Sequence, residues 1–182
     1  MTDGEPRRIG VSIELKPHAY DPLTTPELFE GVLARRLVAF FIDLVILVLP
    51  IVLAGVLMAA ATIATLGLAV VFFALLSPLY GPLIMLWVIC YYGFTFGGPA
   101  SATIGMRAMD LEMRTWYGSP AYFVLGAVHA IVFWVTISFL TPLVLIVGLF
   151  NDRKRLLHDM AVGTIVINNP VRAQVIRDAR RL

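Results

Sequence analysis

The sequence predicts an all-helical membrane protein, an antiparallel transmembrane bundle of three apolar segments with polar ends. Hydrophobic residues make up 59% of the 182 positions and charged residues only 14%, with a mean hydropathy of +0.87. Soluble domains carry roughly 25% charged residues, so lipid is the solvent this composition fits. The length suits one domain. It divides into a polar N-terminal segment over 1–32, a transmembrane domain over 33–168 and a basic tail over 169–182.

The N-terminal segment holds Asp3, Glu5, Glu14, Asp21, Glu27 and Glu30 and has no apolar core, which is unlike a secretory signal peptide. Its prolines predict extended chain to about Pro26, and His18 has no second ligand at a useful spacing for a metal. Thr25-Pro26-Glu27 reads as a helix start, with Thr25 as N-cap and proline at the first position, leading into the membrane as a short interfacial helix.

From Leu37 to Gly93 the only charged side chain is Asp43. At roughly 1.5 Å per residue, that length is about twice what one crossing requires. The expected division is Leu33 to Ala61 and Gly67 to Phe94, with a short uncharged turn between two neighbouring antiparallel helices. Pro50, Pro78 and Pro82 free backbone carbonyls and are expected to face protein. Gly55 with Ala59, and Ser77 with Gly81, are spaced for close helix approach. Trp87, Tyr91 and Tyr92 fit either an interfacial aromatic belt or packing against a polar loop.

A third apolar segment runs from Ala121 to Phe150, and here the basic residues matter. Five Lys and Arg lie in residues 1–36, two are Arg107 and Arg114, and seven follow Phe150. The positive-inside rule puts all three groups in the cytoplasm, whereas a single third crossing would export Arg153, Lys154 and Arg155. A break at Thr141-Pro142 resolves the conflict by turning the segment into a hairpin; one crossing is the alternative. Met109, Leu111 and Met113 alternate with Asp110, Glu112 and Arg114 in the period of a strand, and Gly163–Ile167 reads as another. Paired, they would form a small cytoplasmic sheet.

The formal charge of +2 lacks the dense basic stripe that nucleic-acid binding requires, and one cysteine, Cys90, allows no internal disulfide. No nucleophile elbow, His-Glu-x-x-His, Walker loop or dinucleotide turn is present, so the sequence points to no enzyme, no catalytic residue, no cofactor and no metal centre. The expected partners are the lipid bilayer and either further copies of the chain or a larger membrane protein, because three or four helices make a thin transporter.

The chemistry-bearing residues are few. Arg36 and Asp43 are seven positions apart, nearly two helical turns, and therefore share a face about 10 Å apart along the axis. Arg36 sits at the helix entrance, within reach of phosphates. Asp43 lies at lipid depth, where a carboxylate must face the interior. It either handles a proton or cation, or fixes packing as an ion pair with Arg107, Arg153 or Arg155. His129 is the only other titratable side chain well inside an apolar stretch, and facing Asp43 it would complete a proton relay. His158 and Asp159 follow the basic run Arg153-Lys154-Arg155. They are expected near the membrane entrance of Arg36, with Asp159 as a charge partner.

Three stretches carry a family resemblance. Ala34-Arg35-Arg36-Leu37-Val38-Ala39-Phe40-Phe41-Ile42-Asp43 resembles the opening of the RDD family, with Arg36 and Asp43 at the arginine and first aspartate. The loop Ser101 to Arg107 is similar to that family's Thr-x-Gly-Lys loop through Thr103 and Gly105, with Met106 in place of the lysine and Arg107 beside it. Arg155 to Thr164 closely resembles the closing His-Asp and Gly-Thr motif, with Asp159 at the second aspartate. The likeness covers about residues 30–168; the arginine often found near the start of the family's third segment is missing, and His129 stands in that region. The resemblance implies a multi-pass protein of a bacterial-type inner membrane and leans towards transport, including cation and proton exchange. A structural or accessory module that binds another membrane protein is the other function class.

Overall fold

The computed structural model describes residues 19–181, so the expected extended stretch before Ala19, with His18, lies outside the described residues. Three helices are long and apolar enough to cross a membrane, within residues 26–64, 68–96 and 123–140. Among the described residues, two strands, three short α-helices and one 3-10 turn make up the other regular elements.

Helix α1 is Val32–Ala64, and after a turn with Gly67 in the left-handed region α2 is Leu68–Phe96. These bounds follow from uninterrupted apolar sequence, which leaves the backbone no lipid-compatible option but helix. The expected helix at Pro26 is instead a single 3-10 turn, Pro26–Leu28. Thr25 spends its hydroxyl on the Asp21 carbonyl rather than as a cap, and Gly31 at φ 68 separates the turn from α1.

Asp43 of α1 faces Tyr91 of α2, and one turn further on the Trp87 indole N–H donates to the Leu47 carbonyl at 3.3 Å. Tyr91 and Tyr92 are buried. The two tyrosines are therefore interior packing, whereas Trp87 is exposed. Beyond Leu47 and Trp87 the two helices are largely exposed. Pro50, Pro78 and Pro82 are all exposed within this chain, contrary to the expectation that they face protein. Nothing stands within 4 Å of where a Cβ on Gly55 or Gly81 would lie, so the small-residue pairs bring no helix of this chain close.

The third apolar segment supplies the reason. Helix α4, Phe123–Phe150, is broken at Leu140 (φ −131, ψ 26), just before Thr141-Pro142, where proline has no N–H to continue the ladder. At its start a Cβ on Gly126 would lie 2.7 Å from Phe96 Cβ, at the end of α2. Near its finish a Cβ on Gly148 would meet Leu156 at 2.5 Å and Leu33, in the first turn of α1, at 3.2 Å. Both ends of α4 thus lie where α1 begins and α2 ends, and among the described residues no third helix reaches the outer halves of the first two.

The short elements gather at that same end. Helix α3 is Ile104–Ala108, strand β1 Leu111–Thr115, α5 Leu157–Val162, β2 Thr164–Asn168 and α6 Pro170–Ala179. The strands pair antiparallel, Leu111 with Asn168 through Thr115 with Thr164. Leu111 and Met113 of β1 are fully buried, and Glu112 is held by Arg114 on the same strand at 2.9 Å. The basic terminal stretch docks on the start of the chain through α6. Asn169 caps α6, and Arg177 and Arg180 pair with Glu27 and Glu30, both at 2.6 Å. The i, i+3 spacing of Glu27 and Glu30 matches that of Arg177 and Arg180.

Candidate functional site

Two clasps hold the loops against the membrane helices. The first is Asp43, 4% exposed. One carboxylate oxygen accepts from the Tyr91 hydroxyl at 2.5 Å and the Gly105 N–H at 2.8 Å, and the other from the Thr103 hydroxyl at 2.6 Å. Thr103 in turn caps α3 by accepting from the Met106 N–H at 3.1 Å. Gly105 is obligatory here, because a Cβ would overlap the Ala39 carbonyl of α1 and crowd the Asp43 carboxyl carbon at 2.9 Å.

Among the described residues no ion pair joins Asp43 to a cation, so the expected pairing with Arg107, Arg153 or Arg155 is corrected. The Arg107 guanidinium donates to its own loop at the Ala102 carbonyl. That of Arg153 donates to the Tyr20 carbonyl, and that of Arg155 to the Thr164 and Asp159 carbonyls at 2.9 Å while lying 4.3 Å from the Trp116 ring centre. The physical reason is proximity. Three donors within the α1–α2–α3 contact satisfy the carboxylate without a cation being brought to lipid depth.

The second clasp is formed by Arg36 and Asp159. The guanidinium donates to both carboxylate oxygens, at 2.5 and 3.0 Å, in the two-pronged geometry that makes arginine–carboxylate pairs strong. Asp159 is fully buried, and its Oδ2 also accepts from the Leu156 N–H at 2.8 Å, fixing the start of α5. Burial pushes the Asp159 carboxyl up, but Arg36 reverses this by charge and hydrogen bonding and holds it below the usual carboxylate range.

Two imidazoles complete this cluster. His158 Nε2 lies 3.5 Å from Asp159 Oδ1 and 3.3 Å from the Arg36 guanidinium, while its buried Nδ1 has no hydrogen-bond partner among the described residues. Burial lowers the His158 pKa to about 3, so its ring is neutral near pH 7. His129 reaches across from α4, with Nε2 at 3.8 Å from Asp159 Oδ1 and Nδ1 at 3.1 Å from Thr164 Oγ1. It faces Asp159 and not Asp43, which removes the expected relay between those two. The rings of His129 and His158 meet edge to face at 5.0 Å.

Arg36, Asp43, His129 and His158 all border one cavity of about 520 Å³, otherwise walled chiefly by apolar side chains of α1, α4 and the end of α2. The spacing of Arg36 and Asp43 does set both on this face, although each holds a different loop. Thr103 and Gly105 belong to the Asp43 clasp; Arg107 is exposed outside it. The approach of His129 to His158 was not foreseen, and separated by 28 intervening residues they carry no local signal.

Comparisons with curated proteins and with solved structures find no match. The model of the RDD family matches residues 31–163. That span contains α1, α2, α4, the Thr103–Gly105 loop and both clasps. A match over most of the chain, together with apolar helices of membrane-crossing length, makes this chain a member of the RDD family of membrane proteins.

Proposed function

We propose that this chain is a transport-related protein of a bacterial-type inner membrane, working as a homo-oligomer or with a larger membrane partner. Its solute- or proton-handling site is the Arg36–Asp159 cluster with His129 and His158. The observation that carries this reading is the cavity of about 520 Å³ that three members of the cluster, Arg36, His129 and His158, border, because titratable side chains lining such a void are placed to meet a solute. Asp43 is a pin rather than a carrier, since all three of its contacts come from donors that secure α2 and α3.

In this reading α1 and α2 run antiparallel, α4 enters the membrane and returns, and both termini and the β-pair lie in the cytoplasm with the basic residues. The bare outer halves of α1 and α2 are where another copy or a partner would supply the missing walls. In this reading His158 and Asp159 serve packing and solute handling rather than catalysis, and the protein is not an enzyme.

A second reading, an accessory module without transport of its own, is favoured by a specific observation. The carboxylates of both clasps, Asp43 and Asp159, are already occupied by donors of the chain itself. Flux into dye-loaded proteoliposomes under imposed H⁺, Na⁺ or K⁺ gradients separates the two. Transport predicts pH-dependent flux that survives Asp43→Asn and is lost in the folded His129→Gln/His158→Gln variant. Absence of flux from the unsubstituted, folded protein supports the accessory module.

A further inference from the structure

We propose that His129, His158 and Asp159 form a binding site for a first-row divalent transition-metal ion, held shut by the guanidinium of Arg36. The inference deepens the reading of this cluster as the functional centre. One ligand atom from each of the three residues lies within 4.8 Å of the others, and all three side chains are buried. Ligands of one such metal, at bond lengths of about 2.0 to 2.2 Å, stand roughly 3.5 Å apart, close to the 3.5 and 3.8 Å that separate the two Nε2 atoms from Asp159 Oδ1. Two imidazoles with one carboxylate is a donor set that suits zinc, cobalt, nickel or iron rather than an alkali or alkaline-earth ion.

The surroundings are those of a metal site as well. His129 Nδ1 rests against Thr164 Oγ1, and with the proton on that nitrogen Nε2 presents its lone pair to the cluster. Its 3.8 Å separation from Asp159 is too long for a hydrogen bond that would fix the proton on Nε2 instead. The Leu156 N–H holds Asp159 through Oδ2, which leaves Oδ1 directed at the two rings. Arg36 now fills the place of the cation, bonded to Oδ1 at 3.0 Å and against His158 Nε2 at 3.3 Å.

Guanidinium and metal therefore compete for the same lone pairs, and one binds only as the other leaves. Arg36 has somewhere to go. It sits at the entrance of α1, where its N–H already approaches the Lys154 carbonyl at 3.5 Å, and a longer reach brings it to headgroup phosphates.

The full chain in detergent is titrated with Co²⁺, followed by visible absorption and thermal melting, alongside Arg36→Gln and the same variant carrying His129→Gln and His158→Gln. Arg36→Gln should bind Co²⁺ at least about tenfold more tightly than the unsubstituted chain. The metal should also restore the stability that the substitution removes, whereas the triple variant should show neither effect. If Arg36→Gln does not fold without metal, Arg36→Lys serves in its place, because an ammonium lacks the two-pronged grip. Equal Co²⁺ affinity with and without Arg36, or binding that persists without the two histidines, overturns the proposal. The readout is metal binding, so its failure is separate from any failure of the flux assay.

Discussion

Asp159→Ala should destabilise the fold by roughly 3 to 5 kcal/mol, the cost of removing one member of a buried ion pair and stranding the other. Asp159 is fully buried, and both prongs of Arg36 end on it. Its loss also frees the Leu156 N–H at the start of α5. Arg36→Ala should cost a similar amount by leaving the carboxylate without its cation. The paired change Arg36→Met with Asp159→Leu should cost clearly less than the two single losses added together, since neither charge is then stranded. Thermal and denaturant melts in one detergent measure all four proteins. The pH dependence has a definite sign. A carboxyl held below its ordinary value of 3.8 contributes its full stability above that pH and loses it as the pH falls through the lowered folded-state value.

Asp43→Ala is the second large effect, and contrast with Asp43→Asn identifies its origin. Alanine leaves the Tyr91 hydroxyl, the Thr103 hydroxyl and the Gly105 N–H without their acceptor. At about 1 to 3 kcal/mol for each of these three buried donors, the loss is roughly 3 to 9 kcal/mol. Asparagine keeps an oxygen for Tyr91 and Gly105 and turns its amide towards Thr103, whose hydroxyl reorients to accept; the expected cost is about 1 kcal/mol. An account in which Asp43 faces a cation predicts the reverse emphasis, because loss of charge alone would then be the damaging change. The same melts, with Asp43→Asn and Asp43→Ala side by side, distinguish the two.

The sequence reveals most where one physical force acts unopposed. Helices α1 and α2 end within three residues of the bounds read from hydropathy, because at lipid depth no other structure satisfies the backbone. The apolar alternation around Leu111 marks β1 as well, although Glu112 between Leu111 and Met113 is also buried and is held there by Arg114. Asp43 shows where legibility stops. Its burial follows from its position, but its partners are two hydroxyls and a backbone N–H, which leave no charge pattern to read. The outer prolines meet no protein of this chain because α4 is broken at Leu140 and turns back before reaching them. His129 and His158 meet only through the folding of α4 against α5, which no local spacing encodes.

The return of α4 is what carries Asp159 and His158 back to Arg36, and sided cysteine labelling tests it most directly. In a Cys90→Ser background, single cysteines replace the exposed Tyr117, in the turn between β1 and α4, and the exposed Asp152, just after α4. A membrane-impermeant maleimide is then applied to vesicles of known orientation. The account predicts that both positions react from the same face, the cytoplasmic one. Reaction of Asp152→Cys from the face opposite Tyr117→Cys would mean that α4 crosses the membrane once, and would contradict the assembly of the cluster around Arg36.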